Sequence, residues 1–252
     1  MKHWYAPLAA AILLPLMLTS CLFMPGKFAS TLTIHKDRSF TFTYKGEVMA
    51  LDLDDAHTGF VGNEVSDEAA ANATVDNDAT GNVVEPETPV ETPEDTAAKK
   101  AEKDAQYREV AAQLSKEAGY RTVEYRGDGL FYVDYEISGV LSHNFVYPYN
   151  LDTMMVFPWV SVELRGKDAV RVKATGFAKQ DLSSMGVPTA PGGSKAPSKV
   201  NGTFTLTTDA GVVSQNNEEG VETVGSNTVI TWRVTPTTPD APMAVLRVKP
   251  IP

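Results

Sequence analysis

The chain has 252 residues, 42% of them hydrophobic, and a formal net charge of −10. That apolar content supports a packed core and the length allows one generous domain or two small ones, so a wholly disordered chain is excluded. After residue 24 no apolar run approaches the roughly 18 residues of a spanning helix, and the single cysteine excludes both an intrachain disulfide framework and a Cys-based metal cluster.

The charge is unevenly placed. Between Gly46 and Ala98 there are 14 Asp and Glu residues and no Lys or Arg. Outside that stretch and beyond residue 20, the chain carries 21 basic and 18 acidic residues, a net +3. The acidity therefore belongs to one segment, and no basic stripe points to nucleic acid. An acidic stretch this poor in aromatics reads as solvated and mobile.

At the amino terminus, Lys2 and His3 precede an apolar run from Leu8 to Leu18. This is the length of a signal-peptide core and too short for a membrane span. It ends in Leu18-Thr19-Ser20-Cys21, and Cys21 is the only cysteine of the chain. The tetrapeptide resembles the lipobox of bacterial lipoprotein precursors. That resemblance implies cleavage before Cys21, a diacylglyceryl thioether on its sulfur and acylation of its new amino group. Two or three acyl chains, at about 0.8 kcal/mol per buried methylene, hold a protein at a bilayer effectively permanently. Residues 1–20 are then a signal peptide, and 232 residues remain. Leu22, in place of Asp after the cysteine, resembles the sorting signal of outer-membrane lipoproteins facing the periplasm.

Residues 21–30 read as a lipid-anchored tether to a single domain over 31–252. Extended at roughly 3.3 Å per residue, that tether keeps the domain within about 30 Å of lipid. Leu32 and Ile34 alternate with polar neighbours, Asp37-Arg38 suits a turn, and Phe40, Phe42 and Tyr44 share a face opposite Thr41 and Thr43. This predicts a β-hairpin. From residue 52 to 91 the periodicity disappears, predicting a disordered acidic insertion with at most a short helix around Glu68 to Ala73. Thr92 as N-cap, Pro93 in the first turn and Glu94-Asp95 at the positive end of the dipole predict a helix. Tyr107, Val110, Ala111, Leu114 and Ala118 share one face of it, and Gly119 ends it.

Strand patterns follow. Phe131, Val133, Tyr135 and Ile137 face one way; Tyr132, Asp134 and Glu136 face the other. Val156, Val160, Val162 and Leu164 align, then Gly166-Lys167-Asp168 turns into a strand with Val170 and Val172 inward. Phe177 to Lys199 reads as a Pro/Gly/Ser loop, and strands resume at Thr203 to Thr207, Thr228 to Val234 and Ala244 to Val248. The fold class is α+β: a mainly antiparallel sheet packed by one amphipathic helix, with long acidic and Pro/Gly/Ser loops.

Several constellations carry chemistry on paper. Asp76-Asn77-Asp78-Ala79-Thr80-Gly81 with Glu87 approaches a calcium loop, but Pro86 and Pro89 forbid the exiting helix, so no metal site is assigned. His35, His57 and His143 have no ligand spacing, and Gly192-Gly193-Ser194-Lys195 lacks the strand-to-helix context of a phosphate loop. Asp134 and Glu136 point the same way and read as a solvated face. No catalytic residues and no cofactor are assigned. The most suggestive feature is aromatic: Phe145, Tyr147, Tyr149, Phe157 and Trp159 crowd into 15 residues. They read either as core or as a groove for an apolar ligand with tyrosine hydroxyls at its edge.

A lipobox cysteine, a nearby alternating hairpin turning at an Asp, and a late Ile230-Thr231-Trp232 strand resemble the LppM-like domain of bacterial envelope lipoproteins. The resemblance covers Thr31 to Gly46 and Leu130 to Val248; the acidic insertion and the helix have no counterpart. It implies an α+β domain with a lipid-binding cavity and carries over no catalytic residue. The resulting expectation is a membrane-anchored, non-catalytic envelope lipoprotein with a binding or structural domain. Its partners are membrane lipid through Cys21 and an apolar ligand, with no nucleic acid; the alternative is an envelope hydrolase with a dispersed active site.

Overall fold

The predicted hairpin is the middle of a longer one. In the computed structural model, which describes residues 21–52, 93–148, 158–179 and 199–251, β1 (Cys21–Ile34) and β2 (Ser39–Asp52) pair antiparallel from Ile34↔Phe40 back to Cys21↔Asp52. Residues 21–30, expected as a tether, are therefore strand. The physical reason lies in two apolar stretches, Leu22-Phe23-Met24 and Val48-Met49-Ala50-Leu51, which pair with each other. A register shift between Pro25 and Phe28 interrupts the alternation that would have revealed the strand in the sequence. The acidic insertion beyond Asp52 lies outside the described residues.

After the helix α1 (Pro93–Leu114) come β3 (Tyr120–Tyr125), β4 (Leu130–Val140), β5 (Phe145–Tyr147), β6 (Val160–Arg165) and β7 (Ala169–Lys173). A short 3₁₀ turn at Thr175–Phe177 precedes β8 (Asn201–Thr208), β9 (Gly211–Gln215), β10 (Glu222–Val224), β11 (Asn227–Val234) and β12 (Met243–Arg247). The strands form two sheets, not the one expected. The first runs β10-β11-β8-β1-β2-β4-β3 and the second β5-β6-β7-β12-β9. All pairings are antiparallel except β1 with β8. Among the described residues the fold class, mostly β with one helix, is as the alternation indicated.

Period-two alternation explains the core. Leu32, Ile34, Phe42, Tyr44, Phe204, Leu206 and Ile230 of the seven-stranded sheet are fully buried, as are Val160, Val162, Val170, Val172 and Leu246 of the five-stranded one. They belong to one continuous apolar cluster, so the two inner faces pack on each other. Aromatic rings join the layers: Phe42 lies 4.9 Å from Tyr147, Tyr44 lies 5.3 Å from Trp159, and Phe28 lies 4.1 Å from Phe177. Phe177, expected in a loop, is fully buried at this junction. Phe28 demands space on both sides. A Cβ on Gly46 of β2 would stand 2.6 Å from the Phe28 Cα, and one on Gly202 of β8 would stand 2.0 Å from its carbonyl oxygen.

The helix covers the inner face at the β3 edge. Tyr107 and Ala111 are buried, Val110 and Leu114 half-buried, and Ala118, beyond the helix end, exposed. The Tyr107 ring meets Phe131 edge-on at 5.6 Å. The chain leaves the helix through turns ending at Gly119, whose φ of +93° favours glycine.

The end of the sandwich away from Cys21 is closed by Arg38. Its guanidinium donates to the carbonyls of Lys249 (2.6 Å), Leu141 (3.1 Å) and Lys167 (2.8 Å), and the residue is only 5% exposed. One side chain thus ties the β1–β2 turn to the end of β4, the β6–β7 turn and the last residues of the chain.

Candidate functional site

At the opposite end, Cys21 is the first residue of β1 and pairs with the last residue of β2. β8 joins β1 only from Lys27 onward, so residues 21–26 have no strand partner on that side among the described residues. Other segments converge here. Trp159 donates its indole N–H to the Phe23 carbonyl at 3.3 Å, and Ala50 donates to the Gly129 carbonyl in the β3–β4 turn.

The aromatic candidates divide into three groups. Tyr147 and Trp159 are 2% and 4% exposed and packed among Phe42, Tyr44 and Tyr135. Phe145 is half-buried and lies 5.0 Å from Phe40 and 5.4 Å from Phe42. Tyr149 and Phe157 lie outside the described residues. The structure therefore brings Phe145, Tyr147 and Trp159 together as one wall of the inter-sheet core.

Tyrosine hydroxyls form the polar component of this interior. Tyr44 is buried and donates to the Glu47 carbonyl at 2.8 Å. Tyr147 meets the electrostatic influence of Tyr120, Tyr44 and Tyr135, and Tyr120 that of Tyr135 and Glu117. Desolvation, followed by these neighbours, pushes the Tyr147 and Tyr120 phenols well above their ordinary range. The sequence pattern could not have brought Tyr44 and Tyr120 to Tyr147, because their proximity depends on strand order and not on spacing.

The remaining chemical candidates are partnered at the surface. Asp134 pairs with Lys45 at 2.8 Å and Glu136 with Arg121 at 2.7 Å, so the two carboxylates belong to an ion-paired outer face. His35 lies 3.5 Å from Asp209, and His143 sits 3.1 Å from the hydroxyl of its neighbour Ser142. No hydrogen bond joins those two pairs among the described residues. No group of three potential metal ligands occurs among the described residues, and no helix among them is long and apolar enough to cross a membrane. His57, the stretch Asp76 to Glu87 and the stretch Gly192 to Lys195 lie outside the described residues.

No family model and no curated protein matches this chain. Among solved structures, the folded domain of LppM from Mycobacterium tuberculosis, determined by NMR, covers 90% of this chain and 94% of its own length. The identity is 15% and the TM-score 0.28, a loose likeness only.

Proposed function

We propose that this chain is a bacterial envelope lipoprotein anchored through acylated Cys21. Its domain binds or organises a partner at the membrane surface and does no covalent chemistry. By the sorting rule for Leu22 the membrane is the outer one, with the domain in the periplasm. The observation that carries this reading is the sole cysteine. It follows Leu18-Thr19-Ser20 and is also the first residue of the paired hairpin, so lipid attached there would begin where the fold begins. Several acyl chains at one residue give a firm anchor without a spanning helix.

The same reading places an apolar ligand at the anchored end. Half-buried Phe23, Ala50, Val123 and Tyr125 border the cluster towards that end, with Trp159 on the Phe23 carbonyl, whereas Phe145 lies towards the Arg38 end beside Phe40. Tyrosine hydroxyls among apolar walls suit a ligand with a long apolar body and a polar head. Membrane fractionation of the wild type and of Cys21→Ser tests the anchor: the variant should move to the soluble fraction. Mass spectrometry of an organic extract of that soluble variant, purified without detergent, tests the ligand. A stoichiometric lipid supports it, and a clean extract removes it.

A further inference from the structure

The outer face of the seven-stranded sheet is graded in polarity along the β1–β2 hairpin, and the gradient begins at Cys21. Antiparallel register places Met24 beside Met49, and Met49 beside Leu130 of β4, in one row across three strands. These three alternate with core-facing Phe23, Val48, Ala50 and Phe131, so they point away from the core, and each is half-buried. Beyond them, towards Cys21, the register pairs Leu22 with Leu51. Moving the other way, the next row pairs Glu47 and Glu124 with Tyr132, whose ring carries the Arg126 guanidinium 4.3 Å above it, the same guanidinium donating to Glu124 at 3.2 Å. The following row is the Lys45–Asp134 ion pair. After it come hydroxyls beside a second ion pair: Thr31 on Thr43 at 2.7 Å in the row of Glu136, which Arg121 meets at 2.7 Å, and then Thr41 on Ser138 at 2.8 Å.

This order, apolar, then aromatic with charged neighbours, then ion pairs and hydroxyls, is the order of environments from acyl chains through headgroups to water. Rows two residues apart are separated by about 6.7 Å, so the distance from the Leu22–Leu51 row to Tyr132 is roughly 13 Å. That places the Met24–Met49–Leu130 row at the 5–10 Å depth typical of interfacial apolar groups, with Tyr132 and Arg126 at phosphate level. Because β1 is paired from Cys21 onward, no spacer separates the anchor from this row.

We infer that Met24, Met49 and Leu130 form a membrane seat: the hairpin end dips into the leaflet that holds the acyl chains, and Arg126 on Tyr132 contacts lipid phosphate. The inference rests on the acylation of Cys21 and adds to it a fixed orientation, with the domain standing on its hairpin end.

The test uses full-length acylated protein in phosphatidylcholine–phosphatidylglycerol vesicles, with an environment-sensitive fluorophore attached in turn to Met49→Cys, Leu130→Cys and Thr207→Cys. Lipids brominated on the acyl chains are the quencher. The Met49→Cys and Leu130→Cys probes should be quenched at least about threefold more than the Thr207→Cys probe, which lies on the hydroxyl-rich half. Two seat positions on different strands guard against a folding defect in one variant. Equal quenching at all three positions in protein that floats with the vesicles overturns the seat and leaves the anchor standing. Protein that fails to float overturns the anchor, and the seat with it.

Discussion

Arg38 offers the sharpest stability experiment. Replacing it with Ala removes three charge-assisted hydrogen bonds, to Lys249, Leu141 and Lys167. Each such bond contributes about 1.5–3 kcal/mol, so the simple sum is a ceiling. Two of the three are only partly buried, and water takes over those carbonyls when the guanidinium is gone. The expected loss is therefore about 3–4 kcal/mol, a large part of the roughly 5–15 kcal/mol that holds a domain. Lys at this position keeps the charge but has no planar fork to reach three carbonyls, so Arg38→Lys should recover less than half. The backbone supplies an internal control. Arg38 has a φ of +76°, so Arg38→Gly should stand about 1 kcal/mol above Arg38→Ala. Urea unfolding followed by tryptophan fluorescence, in a Cys21→Ser background, reads all three. An Ala variant within about 1 kcal/mol of its parent would refute the idea that this side chain closes the end of the sandwich.

Other expectations follow from the same packing. Tyr44, Tyr120 and Tyr147 are held protonated by desolvation, whereas in the unfolded chain they ionise near their ordinary value of about 10. Below that value the fold loses nothing. Above it the unfolded state binds fewer protons than the folded state, so stability should fall as pH rises past 10, with no phenolate absorbance from these three before unfolding. An early phenolate signal in folded protein would contradict their burial. Gly202→Ala forces a Cβ to within 2.0 Å of the Phe28 carbonyl oxygen and should cost about 3 kcal/mol or more by urea unfolding. Phe177→Ala should cost about 3–5 kcal/mol, as for a strand core residue, because Phe177 is fully buried against Phe28 and Phe204; an effect below about 1 kcal/mol would return it to a surface loop.

What the sequence reveals here follows the range of each signal. Phe40-Thr41-Phe42-Thr43-Tyr44 and Phe131 to Ile137 alternate without interruption, and their faces are those observed. Interruptions hid the rest. A register shift between Tyr120 and Thr122 conceals β3, one beside Val213 conceals β9, and Pro25-Gly26 conceals the first half of β1. Alternation also says that a face is buried without saying against what, so two sheets read as one. Phe177 lies in a segment with no period at all. Arg38 looks like an ordinary turn residue because its three acceptors lie 103, 129 and 211 positions away.

The candidate site divides along the same line. The four residues ending at Cys21 are a local signal and stand in the sequence unaided. The crowding of Phe145, Tyr147 and Trp159 is equally visible. Its meaning is not, because the rings that fill the opposite side are Phe40, Phe42 and Tyr44, about 100 residues earlier in the chain. The tyrosine cluster and the graded outer face exist only once β4 has been placed beside β2.

Tandem mass spectrometry of the amino-terminal peptide, from protein isolated from the membranes of an expressing bacterium, reads the proposed anchor itself. Acylation at Cys21 gives a peptide that begins at Cys21 with a diacylglyceryl group on sulfur and an acyl group on the new amine. A peptide that still contains Ser20, or that begins at Cys21 with a free thiol, would contradict it.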